Sequence, residues 1–539
     1  MKWRDILFRE IRLPGDRSRA GRTGLLSRTW KWLFSWRSVR TALFLVIALA
    51  TLVALFYVVE NWRGRYLWKS YRAAAERRGI NFNYRNFVPP PVSDEVNFAA
   101  NALFKPIFDY HSQDGRIVWR DTNGWERVRQ MGIHFSYPSE APELGDVARG
   151  VRTALEDWQR YYRGEYWPSN AAPRKAQPSF NAKEKFPAPA QPQSPGADVL
   201  LALAKFDSEM RELAVDARRP HSRFPIHYDE GWMTLLPHLG QTLKFQRMFR
   251  LRAEAQLSAG NSLAAFEDVR TAFALADASK TEPFVISRLV RCRTLNEASS
   301  SLWEGMCRHA WSEEQLAEVQ QRLARLNLMD EFIETLAAAR AFQTMNVEQQ
   351  IRQREQFIQS WRNMMPQSSY QNGLFLPYAR YAPSGWFYQN EIVFNRRVDQ
   401  MSAAAARAKA TGVYTPLTWR VENESPRFTL FVDWPLQVFS NSVVQFPLTH
   451  VRMQLAQVAC ALERFHLARG HYPDLLDALS PQFIARVPAD FMDGKPLRYR
   501  RLNEHSFLLY SVGLNETDDG GSYPPGGNAQ GGDWVWRVP

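Results

Sequence analysis

Apolar residues are spread unevenly along the chain, and the densest run comes early. Thr41 to Val59 (TALFLVIALATLVALFYVV) carries no charge. As a helix it would span about 28 Å, close to the ~30 Å hydrocarbon core of a bilayer. Twelve of its residues are Leu, Ile, Val or Phe, and at about 0.3–0.6 kcal/mol each they favour insertion by roughly 5 kcal/mol. A buried core helix would keep a polar face, which this run lacks. The residues ahead of it are too many for the n-region of a signal peptide, and no small-residue cleavage site follows. The pattern predicts an uncleaved transmembrane helix that continues as a basic stalk and stops at Gly79, a natural C′ residue.

Beyond the stalk, FVPPPV (Phe87 to Val92) predicts an extended segment, because successive prolines fix φ and withhold donors. Gly145 to Tyr162 reads as helical. Asn170 to Gly196, crowded with Pro, Ala and small polar residues, reads as a linker. From Asp198 to about Arg362 the apolar period is helical. Leu251 to Asp277 divides into two helices hinged at Gly260-Asn261. Ala253, Gly260, Ala265 and Ala272 are spaced as in tetratricopeptide-like repeats, a pattern that an ordinary helical hairpin also gives. Ser312 with Gln315 predicts a capping box. Gln367 to Gln389, with its QNG and APSG turns, should interrupt the helices; Glu391 to Ala410 resumes them. Thr415 to Pro447 reads as irregular, with a strand at Phe428 to Val432.

Near the C-terminus, Val451, Leu455, Val458, Leu462 and Phe465 form one stripe on a helix from about Leu448 to Arg469, ended by Gly470. Tyr472-Pro473 restarts the chain into a short helix reaching Leu479. Two turns, at Asp493-Gly494 and Asn503 to His505, separate strands at Leu497 to Arg500 and Phe507 to Val512. The predicted fold is mainly α: a single N-terminal transmembrane helix, a helical and repeat-like central region, and a small C-terminal α+β domain with an antiparallel sheet. The predicted division is a basic tail (1–40), a span (41–59), a stalk and aromatic-rich region (60–169), a linker (170–196), a helical region (198–362), a connector (363–447) and the α+β domain (448–539).

The last ninety or so residues resemble the soluble domain of the major, G-type pseudopilin of type II secretion systems. The likeness rests on Ala461-Leu462-Glu463-Arg464-Phe465, Gly470-His471-Tyr472-Pro473, Val487-Pro488-Ala489-Asp490, Asp493-Gly494-Lys495-Pro496 and Leu509-Tyr510-Ser511-Val512-Gly513. Thr517 to Gly521 and Asp533 to Trp536 complete it. The resemblance implies a helix packed on a small sheet and calcium in the loop from Leu514 to Asp533. Asp518, Asp519, Asn528 and Asp533 would then supply the oxygens that a hard cation requires; a glycine-rich acidic loop that is simply solvated is the alternative. The anchor departs from a pseudopilin, having neither the cleaved leader nor the Phe-Thr-Leu start. The rest of the chain looks like large envelope proteins with the same ending.

Charge adds a direction. The chain carries 68 Lys and Arg against 55 Asp and Glu, a formal +13, which favours an anionic neighbour. Eleven basic residues from Lys2 to Arg40 precede the span, interleaved with tryptophans. Arg63, Arg65, Lys69, Arg72, Arg77 and Arg78 follow it, so the positive-inside rule only leans toward a cytoplasmic N-terminus. Contact with the lipid bilayer explains the tail better than nucleic acid, for which no recognition module is present. The expected setting is the bacterial inner membrane with the bulk of the chain periplasmic.

Candidate chemistry is sparse. The chain contains no GxxxxGK[ST], HExxH, GxSxG or GxGxxG motif. Cys292, Cys307 and Cys460 have no metal-ligand spacing and read as buried thiols. His466 and His471, five apart across a helix end, read as structural or surface residues rather than as a ligand pair. The leading expectation is a membrane-anchored scaffold or interaction protein of the cell envelope with a protein partner; SGWFY (Ser384 to Tyr388) offers it an aromatic anchor or else a core contact. An envelope hydrolase with an unrecognised site, or an electrostatic tether to anionic lipid or cell-wall polymer, is the alternative.

Overall fold

The computed structural model describes residues 36–113, 116–132, 141–166, 186–364, 370–415, 430–523 and 531–539. The basic tail up to residue 35, residues 170–185 of the expected linker and Asn528 lie outside them. Helix α1 (Trp36–Arg77) is one uninterrupted rod of 42 residues. It ends as its sequence predicts, with Gly79 at φ 85° and the amide of Ile80 donating to the Ala75 carbonyl at 3.1 Å. Its first part is long and apolar enough to cross a membrane. That part is also bare: Phe44 is 69% exposed and Val58 65%.

The second part of α1 is not bare. It packs lengthwise against α14 (Ser384–Thr411). A Cβ placed on Gly64 would lie 2.2 Å from the Gly385 carbonyl oxygen, and one on Gly385 would lie 1.9 Å from that of Glu60. The two backbones therefore touch, which only glycine permits. Around the contact, Asn61 Oδ1 accepts from the Ser384 hydroxyl at 2.9 Å and the Gly385 amide at 3.0 Å. Glu60 accepts from the Trp386 indole at 3.0 Å. Tyr71 donates to Asp399 at 3.2 Å, and the Tyr57 hydroxyl donates to the Tyr381 carbonyl. SGWFY is thus the first turn of a helix seated on the chain's own anchor: Trp386 and Tyr388 serve that contact, while Phe387 is a core residue packed with Val347 and Ile358.

Between anchor and body lie α2 (Lys105–Phe108), the hairpin β1 (Tyr110–Gln113) and β2 (Arg116–Trp119), α3 (Thr122–Met131), α4 (Leu155–Tyr162), α5 (Pro195–Leu203) and α6 (Asp207–Asp216). The expected helix from Gly145 is shorter at its start. Residues 145–154 instead form a turn in which Asp146 pairs with Val151, because the Asp146 carboxylate caps the amide of Ala148. The linker ends earlier than expected: Ser194 caps α5, with Pro195 in its first turn.

The body itself is built from α7 (Pro237–Ser258), α8 (Ser262–Asp277), α9 (Val285–Met306), α10 (Glu313–Ala324) and α11 (Leu328–Arg352). Gly260, at φ 78°, makes the predicted hinge between α7 and α8, and the capping box at Ser312 forms as its sequence predicts. Helix α9 packs on α7, on α8 and on the long α15 (Leu430–Arg469). It is buried nearly all round although it is polar. Arg291, 1% exposed, binds Glu331 at 2.8 Å and Asp277 at 2.6 Å.

Two stretches expected to be irregular are largely helical where they are described; residues 367–369 and 416–429 lie outside the described set. After α12 (Arg354–Met364), α13 (Tyr370–Tyr381) runs through Pro377, and α15 begins at Leu430 and runs through Pro435 and Pro447. Residues 430–432 of the expected strand belong to α15, and residues 428–429 lie outside the described set. Each proline costs its helix one backbone bond, and the helix continues through it. The short helix expected after Pro473 is a 3₁₀ turn over Leu476–Leu479.

The sheet is antiparallel in the order β3 (Arg498–Arg501), β4 (Phe507–Ser511), β5 (Trp534–Val538), with Tyr499 opposite Leu509 and Leu509 opposite Trp536. Asp490, fully buried, organises its edge by accepting from Arg498 at 2.8 Å, from the Ser511 hydroxyl at 2.7 Å and from two amides. One hydrophobic core runs from Ala253 on α7 through Trp303 and Leu462 to Trp536 and Val538. The Trp303 indole donates to the Arg537 carbonyl at 2.6 Å. The sheet therefore shares its core with the helices.

Two predictions follow from this packing. Gly385→Val should push α14 off α1, since overpacking costs about 1–3 kcal/mol; differential scanning fluorimetry in detergent should show a lower Tm, and limited proteolysis should cut first between residues 60 and 80. Glu391, 1% exposed, accepts from Thr344 at 2.7 Å and Asn395 at 2.9 Å, and burial pushes its carboxyl up to about 7 from an ordinary 4.5. The folded state therefore holds this proton where the unfolded chain has lost it, and stability falls as pH rises from 4.5 to 7. Glu391→Gln removes that fall, so the variant should gain on the wild type by up to roughly 3 kcal/mol between pH 5 and pH 8 in urea melts.

Candidate functional site

Helices α7, α9 and α15 converge with the segment 141–147 around a cavity of about 490 Å³. Four arginines reach it: Arg247 and Arg250 from α7, Arg293 from α9 and Arg452 from α15. On α9 the positions 293, 297 and 300 are four and three apart, which puts Arg293, Glu297 and Ser300 on one face. The same reasoning aligns Arg250 with Glu254 and Leu448 with Arg452.

The charges do not balance evenly. Glu297 serves three arginines, at 2.6 Å from Arg250, 2.9 Å from Arg293 and 3.6 Å from Arg247. Burial opposes its ionisation, yet Arg250, Arg293 and Arg247 together hold the carboxyl down at about 2. Arg250 also binds Glu254 at 2.8 Å and the Gly145 carbonyl at 2.6 Å. Arg452 differs from these three. Its guanidinium donates to the hydroxyls of Ser299 at 3.0 Å and Ser300 at 2.8 Å. Among the described residues it has no carboxylate within ion-pair distance. Burial, reinforced by Arg250, pushes its pKa down to about 10, so it stays charged at neutral pH. A half-buried cation held by neutral hydroxyls leaves room for an anion to join it at a gain. The planar donors of Arg452 suit a carboxylate or phosphate group.

The residues expected to hold calcium sit elsewhere, beyond β4. Both Asp533 oxygens accept amides, from Asp519 at 3.3 Å and Gly521 at 2.7 Å. Asp518 accepts from the Tyr510 hydroxyl at 3.1 Å, and Asp519 from Asn515 at 2.9 Å. Burial, with Asp519 and Asp518 nearby, raises the Asp533 carboxyl. Asp518, Asp519 and Asp533 thus share one loop and are already engaged by its donors; Asn528 lies outside the described residues. All three cysteines are free thiols. Burial pushes Cys292 up to about 12 and raises Cys307 and Cys460 further, which leaves them unreactive. His471 bonds the Tyr472 carbonyl at 2.9 Å, whereas His466 contacts His505 and His309.

A scan of protein-family models finds no match to the chain, and searches of curated proteins and of solved structures find none either. Fold and site define a class without a family: a mainly helical body mounted on one membrane-length helix, with a cationic cavity in its interior.

The cavity arginines escape a reading of the sequence because they lie up to two hundred residues apart. A signal was nonetheless present in α9, whose buried-helix length carries Arg293, Asn296, Glu297 and three consecutive serines where apolar residues would be expected. Arg452→Met should remove a half-buried charge that has no carboxylate partner among the described residues. In phosphate-free buffer the variant should melt at or above the wild-type Tm, and it should lose the rise in Tm that inorganic pyrophosphate gives the wild type; a pyrophosphate response equal in both would refute the assignment.

Proposed function

We propose that the protein is a single-pass component of the bacterial inner membrane, with its N-terminus cytoplasmic and its body periplasmic, that acts as a scaffold or interaction protein of the cell envelope. It engages an acidic group of its partner in the arginine-lined cavity. The observation that carries this reading is Arg452, a half-buried guanidinium lining the cavity and bonded, among the described residues, to the Ser299 and Ser300 hydroxyls. Charged groups of this kind cluster at functional sites, where binding repays their desolvation. The docking of α14 on α1 supports a scaffold, because it holds the cavity at a set distance from the apolar span. The basic tail supports contact with anionic lipid. The likeness of the last ninety residues to the G-type pseudopilin supports a link with secretion machinery.

Crosslinking in intact membranes followed by affinity purification tests the reading. A partner should be recovered with the wild type and lost with Arg452→Met. Recovery of the protein alone, or equal recovery of the partner with both forms, would count against it. A phosphatase reporter fused after Pro539 should be active only on the periplasmic side.

A further inference from the structure

Three histidines far apart in sequence meet where the helical body touches the sheet. His309 follows the last turn of α9, His466 lies in the last turn of α15, and His505 sits in the turn between β3 and β4. Each ring offers a nitrogen, and these nitrogens all lie within 4.8 Å of one another. His466 Nε2 is 2.9 Å from His505 Nδ1. His466 is 8% exposed, and its other nitrogen, Nδ1, is buried with no hydrogen-bond partner among the described residues.

The surroundings hold the rings in place. His309 has a left-handed backbone, φ 48°, which costs a non-glycine residue energy and persists only where the fold enforces it. Its Nδ1 is 2.7 Å from Glu463, which is 1% exposed and also accepts from the Tyr472 hydroxyl. A buried carboxylate on one nitrogen of a histidine fixes the ring and makes the other nitrogen the better ligand, the arrangement found behind metal-bound histidines. The same carboxylate needs a positive charge near it, which its Tyr472 contact does not supply.

We propose that His309, His466 and His505 form a binding site for a divalent transition-metal ion, Zn²⁺ by preference, with Glu463 positioning His309. Imidazole nitrogens suit such an ion, and three protein ligands leave the fourth tetrahedral position to water. At Zn–N distances of about 2.0–2.1 Å the nitrogens would stand ~3.3 Å apart. The nearest pair opens by a few tenths of an ångström, and the wider separations close by rotation of the rings. His505 is exposed on a turn, so it can swing and its side gives the ion its way in. The bound ion would tie the ends of α9 and α15 to the β3–β4 turn. This site stands apart from the arginine cavity and does not depend on its role.

The test uses the full-length protein in detergent, stripped with chelator and titrated with Zn²⁺ by calorimetry and with Co²⁺ by visible absorption. The wild type should bind one equivalent in this site, give the intense bands of tetrahedral Co²⁺, and gain in Tm with Zn²⁺. His505→Ala, at an exposed position, should keep the metal-free Tm and lose all three responses. Glu463→Gln should weaken binding ten- to a hundredfold while leaving the tetrahedral spectrum. Zn²⁺ affinity unchanged in His505→Ala, or no stoichiometric binding by the wild type, would overturn the proposal.

Discussion

A contact between two bare backbones, at Gly64 on the anchor helix and Gly385 on α14, joins the apolar span to the folded body. No side chain stands between the helices there, so Asn61 can reach the Ser384 hydroxyl and the Gly385 amide together. The close approach also lets Glu60, Tyr57 and Tyr71 bond across the seam. A flexible stalk would let the body wander over the membrane. This seam instead makes the stalk part of the body and sets how far every other feature stands from the apolar span.

Above the seam, buried charge gives the interior its character. Arg291 with Glu331 and Asp277, and Arg250 with Glu254 and Glu297, are ion-pair networks that cross from helix to helix. Such pairs add little net stability against well-packed apolar residues, but breaking one is expensive, so they penalise any other alignment of the helices. Two other places bear on function. Among the described residues Arg452 bonds the Ser299 and Ser300 hydroxyls and no carboxylate, and His466 keeps an unbonded buried nitrogen beside two other imidazoles. Both lie on α15, at the cavity and at the joint with the sheet respectively. One long helix thereby connects the two sites.

What could be read from the sequence was local. The apolar span, the stop at Gly79, the hinge at Gly260, the capping box at Ser312, the stop at Gly470 and two of the three sheet strands each follow from a few neighbouring residues. The errors arose where local signals compete with packing. Pro377, Pro435 and Pro447 argue for breaks, yet α13 and α15 run through them. SGWFY looked like a turn because it begins beside Pro383, and that proline is instead the N-cap of α14. The sites were hidden for a stronger reason. Arg247, Arg293 and Arg452 are brought together only by three helices packing, and His309, His466 and His505 by a joint between helices and sheet. Of the pair His466 and His471, which share a helix end, only the first takes part.

The account rests on the anchor and the body being one rigid unit, and a disulfide measures that directly. A disulfide requires Cα atoms within about 7 Å. With Asn61→Cys and Ser384→Cys introduced together, mild oxidation of intact membranes should join the two positions nearly completely, read as a shift on a non-reducing gel; of the native thiols Cys292 and Cys460 are buried and Cys307 is half-buried, and Cys307→Ser in the same background removes its interference. A control pair of Leu45→Cys with Ser384→Cys should remain unjoined. If the 61–384 pair links no better than this control, the stalk is free of the body and the account is wrong.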